Sequence, residues 1–233
     1  MKRFYKLVTA EQADDGAIIR LDGRVLKTPA KAEMRLPTLA LAEAIAGEWQ
    51  AQQVEIRPQS MPLMQLAATS IDRVMIDPAF ARTDVVRYGG TDLLSYRADE
   101  PAVLAERQAA EWQPLLDWFR DRYDVQMNVT SGIIAVTQPA ELTPRLERVC
   151  DGLDAWRLTA LHGATTNTGS VVIGLALLDG RLDADGAHRA ALLDELYQAE
   201  RWGEDAEAVA RRTGLLADLQ ATAQFLALLR ARN

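Results

Sequence analysis

The sequence predicts an α+β protein: a small N-terminal antiparallel β-rich domain followed by a C-terminal multi-helical bundle. Three observations predict it. Residues 4–36 alternate strand formers with turn residues around Asp22-Gly23. At Pro37-Thr38 the apolar spacing lengthens from two residues to nearly four. Beyond about residue 100, alanine- and leucine-rich stretches alternate with capping residues. Charge follows the same division. All four lysines fall in the first 31 residues, residues 1–36 carry net charge +3, and the remainder carries −10 of the chain's total of −7.

Phe4-Tyr5-Lys6-Leu7-Val8 reads as a strand, punctuated by Asp14-Asp15-Gly16. Ile18 to Leu21 then meets Arg24 to Lys27 across Asp22-Gly23, a pair suited to the positive φ angles of a type I′ turn. Pro29 stops the second arm, and Met34-Arg35-Leu36 returns as a short strand. Thr38 caps a helix with Leu41, Ile45 and Trp49 on one stripe. Residues 54–62 are extended, and a second helix with Leu63, Leu66, Ala67, Ser70 and Val74 inward ends at Asp77-Pro78. The domains are placed at 1–65, β-rich with one covering helix, and 66–233, helical.

In the second domain, Asp99-Glu100-Pro101 opens a helix that Pro114 should kink or split. Residues 125–136 read as a hairpin or an irregular crossing. Thr143-Pro144 begins another helix with Leu146, Val149, Cys150 and Leu153 inward, and residues 156–161 a short one. Gly163 to Gly169 is small and polar, a loop. Thr168 or Ser170 caps the apolar helix Val171 to Leu178, one helix runs from Asp183 or Asp185 to Trp202, and the last from Glu204 to about Arg230.

Composition narrows the chemistry. With 26 basic against 33 acidic residues, bulk nucleic-acid binding is disfavoured. The longest apolar run is about half the ~20 residues a membrane-spanning helix needs, so no stable membrane insertion is expected. One cysteine, Cys150, gives no intramolecular disulfide and reads as a buried thiol. His162 reads as a helix-end or surface side chain and His188 as solvated, in no metal-ligand spacing. No cofactor or metal is expected. An enzymatic reading, a hydrolase or transferase, rests on the Thr168–Ser170 loop ahead of a helix, or on carboxylates such as Asp72, Asp77, Asp92 and Glu106. Four of the five tryptophans lie in apolar registers. Trp202 ends a helix beside the charged run Glu204-Asp205, and such a corner can anchor a partner or plug a helical hairpin.

Several blocks, in order, carry a resemblance. They are Arg3-Phe4-Tyr5-Lys6, Leu21 to Pro29, Leu36-Pro37-Thr38, Ala46-Gly47-Glu48-Trp49-Gln50-Ala51-Gln52, Met61-Pro62-Leu63, Ile71-Asp72, Thr91 to Arg97, Thr168-Gly169-Ser170 and Gln198 to Gly203. Together they resemble the ATP12 family of F1-ATPase assembly chaperones. The resemblance implies a β-rich domain followed by a helical one, no catalysis, and a partner: the unassembled F1 α subunit, held until β is available. It implies a bacterial member acting in the cytoplasm, eukaryotic relatives being in the mitochondrial matrix, and a chaperone that is monomeric when free. For the partner-binding surface it points to Glu204, Asp205 and Glu207, with Trp202 beside them. Charge reversal at Glu204 and Asp205 is then expected to weaken capture and spare thermal stability.

Overall fold

Strand β1 (Val8–Ala13) pairs antiparallel with β2 (Gly16–Leu21) through six facing residue pairs, from Val8 opposite Leu21 to Ala13 opposite Gly16. The computed structural model describes residues 1–132 and 134–230. On the other side of β2 lie β3 (Arg24–Val25) and β4 (Arg35–Leu36), both antiparallel, so β2 is the centre of a four-stranded sheet. The turn between β2 and β3 has positive φ at both Asp22 and Gly23, as its sequence demands. The first strand begins later than its composition suggests. Asp22 accepts hydrogen bonds from the backbone N–H groups of Lys6 (3.1 Å) and Leu7 (2.8 Å), which takes those residues out of the ladder.

Helix α1 (Leu39–Gln50) covers β1 and β2. Thr38 caps it, its hydroxyl oxygen accepting the Leu41 N–H at 3.2 Å, and Leu41, Ala42, Ile45 and Trp49 are buried. Next comes α2 (Pro62–Thr69), extended by a wider turn over Ser70–Val74. The start of α2 lacks a cap of its own; Glu48 of α1 supplies one, its carboxylate accepting from the N–H groups of Leu63 and Met64, both at 2.8 Å. Half-burial pushes that carboxyl above its ordinary value, against the pull of the two N–H groups. Replacing Glu48 with Ala is expected to lower the unfolding free energy by about 2 kcal/mol. Urea titration against Glu48→Gln, which keeps one acceptor oxygen, checks this.

The remaining helices are α3 (Pro78–Gly90), α4 (Ala102–Tyr123), α5 (Leu142–Asp151), α6 (Ala155–Thr168), α7 (Val171–Asp179), α8 (Ala184–Ala191), α9 (Leu193–Trp202) and α10 (Ala206–Arg230). Three sequence expectations need correction. Pro114 does not split α4, which runs on through it. Pro114 is exposed, so the carbonyl it deprives of a partner can meet water, while Trp112, Leu115, Leu116 and Phe119 are buried on the inward side. Of the two readings for residues 125–136, the described residues fit the irregular crossing: Thr130–Ser131 (β6) pairs parallel with Tyr96–Arg97 (β5), and residue 133 lies outside the described residues. The small polar stretch from Gly163 is not a loop but the second half of α6, in which Thr166 and Thr168 donate back to the carbonyls of His162 and Ala164. The span from Asp183 to Trp202 is two helices, broken at Leu192.

Two compact units emerge. The first comprises Met1–Ala79, Ala155–Ala160 and the stretch from Ala221; the second comprises Phe80–Asp154 and Leu161–Gln220. Both α6 and α10 therefore contribute residues to each unit. In the first unit Trp156 packs against Phe225, and the Thr38 hydroxyl donates to the Leu228 carbonyl at 2.9 Å. In the second, Trp112 is fully buried and its indole N–H donates to the Ala190 carbonyl at 2.9 Å. Only Trp49 and Trp112 are buried tryptophans; Trp118 and Trp156 are half-buried.

Candidate functional site

The corner between α9 and α10 is built by three local signals. Gly203, at φ +91°, ends α9 directly after Trp202. Asp205 then starts α10, its carboxylate accepting the Ala208 N–H at 3.0 Å. Glu207 occupies the first turn, where a negative side chain suits the helix N-terminus. Around this corner Trp202 is 76% exposed and Val209 is exposed one turn into α10. The sequence-predicted residues Trp202, Glu204, Asp205 and Glu207 thus lie together on one exposed segment.

The three acids differ in what they do. Arg212, only 7% exposed, reaches both Glu195 at 3.0 Å and Glu204 at 3.1 Å. Arg211 adds a second ion pair to Glu195, and a ring nitrogen of His188 lies 3.0 Å from the Arg212 carbonyl. Partial burial pushes the Glu195 carboxyl up, but the two arginines outweigh it and hold it below the usual range. Glu204 is therefore one of two carboxylates neutralising a buried guanidinium, and Asp205 caps a helix. Glu207 has no hydrogen-bond or ion-pair partner among the described residues. The expectation that charge reversal at Glu204 and Asp205 spares stability is revised accordingly, since both residues hold the corner. Sequence alone offered no sign of Glu195 or Arg212, which meet across 17 residues.

His188, expected to be solvated, is tied into this network. His162 is not at a helix end: it lies within α6, its Nε2 3.1 Å from an Asp84 carboxylate oxygen. Cys150 is buried, and burial pushes its thiol up to about 11, away from reactivity.

The enzymatic alternative meets a different arrangement at Thr168–Ser170. Both hydroxyls are buried. Ser170 caps α7 by accepting the Ile173 N–H and donates to Asp92 at 2.8 Å. Asp92 is itself completely buried and also accepts from the N–H groups of Leu94 (3.0 Å) and Val172 (3.1 Å). Burial pushes its carboxyl up to about 6 despite those donors. This is a dry joint between the Leu93–Ser95 turn and α7. Asp72 is likewise engaged, accepting from the Thr28 hydroxyl and the Ala30 N–H. Among the described residues no group of three His, Cys, Asp or Glu side chains is arranged to hold a metal ion, and no helix is long and apolar enough to cross a membrane.

Comparison with known proteins adds independent support. The family described as ATP12 chaperone protein matches residues 2–120. The crystal structure of Atp12 from Paracoccus denitrificans is 42% identical, with a TM-score of 0.92 over 98% of each chain. A form of that protein with an aspartate replaced by lysine matches equally well, at 42% identity and TM-score 0.92. The mitochondrial Atp12 protein of Schizosaccharomyces pombe is 28% identical, the match covering 89% of this chain and 76% of the relative. Together with the β-then-helical architecture, these findings place the chain as a bacterial-type member of the ATP12 chaperone family.

Proposed function

We propose that this protein is an F1-ATPase assembly chaperone that binds the unassembled α subunit and prevents its aggregation until the β subunit pairs with it. Membership of the ATP12 family supports the chaperone role. The observation that carries the binding surface is the corner after α9, where a 76%-exposed tryptophan stands beside an acidic run. An aromatic anchor within a polar, charged rim suits a client that must be released. Its acidity complements basic residues on the client and discourages the chaperone from binding itself. The free protein is a monomer in this reading, and the bacterial cytoplasm is its compartment.

The test is capture of purified α subunit and suppression of its aggregation, followed by light scattering. Glu207→Lys and Trp202→Ala are each expected to weaken capture at least tenfold, with the thermal transition within about 2 °C of the parent. Unchanged capture by both variants would move the interface elsewhere, and failure of the parent to hold α at all would end the proposal. Glu204→Lys is expected to behave differently, losing stability together with capture, because it sets a second cation against Arg212.

A further inference from the structure

The first unit holds a cavity of about 700 Å³ with no role in the corner described above. One wall is the N-terminal segment carrying Phe4 and Tyr5; the other is the β2–β3 hairpin, with Leu21, Val25 and Leu26; α1 contributes Trp49. The aromatic rings form a chain, Phe4 against Tyr5 at 5.4 Å and Tyr5 against Trp49 at 5.5 Å, edge to face in both cases. Phe4 is nonetheless 63% exposed, a large ring left uncovered at the mouth.

Two observations specify the occupant. First, Trp49 is only 7% exposed, yet its indole N–H has no acceptor among the described residues. A buried donor is normally satisfied; this one is out of contact with solvent, so an acceptor from outside reaches it only when the groove wall shifts. Second, the charges are one-sided. Asp22 is committed to the backbone N–H groups of Leu7 and Lys6, which hold its carboxyl below the usual range. Arg24 and Lys27 line the same cavity, and their side chains have no hydrogen-bond or ion-pair partner among the described residues. The groove is apolar inside and cationic at its edge, in a chain that is acidic as a whole. In addition, Arg24–Val25 (β3) pairs with β2 alone, a two-residue edge that ends where Lys27 bridges to Glu33.

We propose that this groove binds an extended segment of a partner polypeptide in which apolar side chains alternate with acidic ones. The apolar groups enter between Phe4, Val25 and Leu26, a backbone carbonyl accepts the Trp49 N–H, and the carboxylates meet Arg24 and Lys27. The site lies within residues 1–49 and does not rest on the α-subunit reading.

The probe is a fluorescein-labelled heptapeptide, Asp-Leu-Asp-Phe-Asp-Leu-Asp, set against its counterpart with lysine in place of aspartate. By anisotropy with the full chain, the acidic peptide is expected to bind at least tenfold more tightly, and more weakly as salt rises. Arg24→Glu with Lys27→Glu is expected to remove that preference, and both side chains are exposed, so the fold should tolerate the change. If the double reversal lowers the thermal transition, Arg24→Gln with Lys27→Gln must show the same loss of preference. The Trp49 indole ¹⁵N–H resonance, assigned through Trp49→Phe, is expected to move downfield on binding. Equal affinity for both peptides, no binding of either, or a stationary indole resonance would overturn the proposal. So would concentration-dependent dimerisation of the free protein through this face in sedimentation, which would make a second copy the occupant.

Discussion

Replacing Asp92 with alanine is expected to lower the unfolding free energy by about 4 kcal/mol. The carboxylate is the common acceptor for the Ser170 hydroxyl and the N–H groups of Leu94 and Val172. All three sit where water does not reach, and each orphaned donor costs roughly 1–3 kcal/mol, offset in part by no longer burying the carboxyl itself. The same residue gives a pH signature. Its folded-state carboxyl is raised to about 6 from an ordinary 3.8. Below 3.8 both states are protonated and the contribution to stability is fully present. Between 3.8 and 6 the unfolded chain releases the proton first, so the contribution is lost as pH rises, by about 3 kcal/mol in all. Urea titrations of the parent and of Asp92→Asn at pH 4 and pH 7 isolate this term. The parent's advantage over the variant is expected to be larger at pH 4, and an advantage larger at pH 7 would show that Asp92 is held ionised.

Truncating Trp112 to alanine is expected to cost about 4 kcal/mol and to lower the melting temperature by roughly 10 °C. Trp112 is fully buried on α4, and its loss opens a cavity that its neighbours can only partly fill. Two further terms add to it. The Ala190 carbonyl loses its donor, and the Arg97 guanidinium, 5.1 Å above the indole, loses the ring face it lies against. Trp112→Phe retains most of the volume and removes the N–H; about 1–2 kcal/mol is expected there. Calorimetry of the pair separates packing from the hydrogen bond. Equal losses in the two variants would assign nearly the whole effect to the indole N–H.

What the sequence made legible is what is settled within a few residues. Asp22-Gly23 turns the chain because those two positions accept positive φ, and Thr38 and Ser170 cap helices whose first N–H groups they reach directly. Trp202-Gly203 and Asp205 likewise announced the corner, through a helix stop followed by a helix start. The misjudged elements are those in which a further interaction overrode the residue's usual preference. Thr166 and Thr168 look like loop residues but turn their hydroxyls back to the preceding helical turn. Leu192 breaks a helix without glycine or proline, and Pro114 fails to break one because its exposed side can be solvated. The clamp on Arg212 was invisible because Glu195 and Glu204 approach it only once α9 and α10 have turned against each other.

The shared helix α10 has a consequence for the order in which the protein is made. The first unit draws on residues from Ala221 onward, among them Phe225 against Trp156 and the Leu228 carbonyl under Thr38, a closure spanning 190 residues. A nascent chain that stops at residue 205 lacks that part of the first unit's interior, although residues 1–79 are already synthesised. Its N-terminal sheet is therefore expected to stay open to proteases on the ribosome until α10 emerges. An assembly chaperone thus passes through an unfinished state of its own, ended only when the residues from Ala221 onward have emerged.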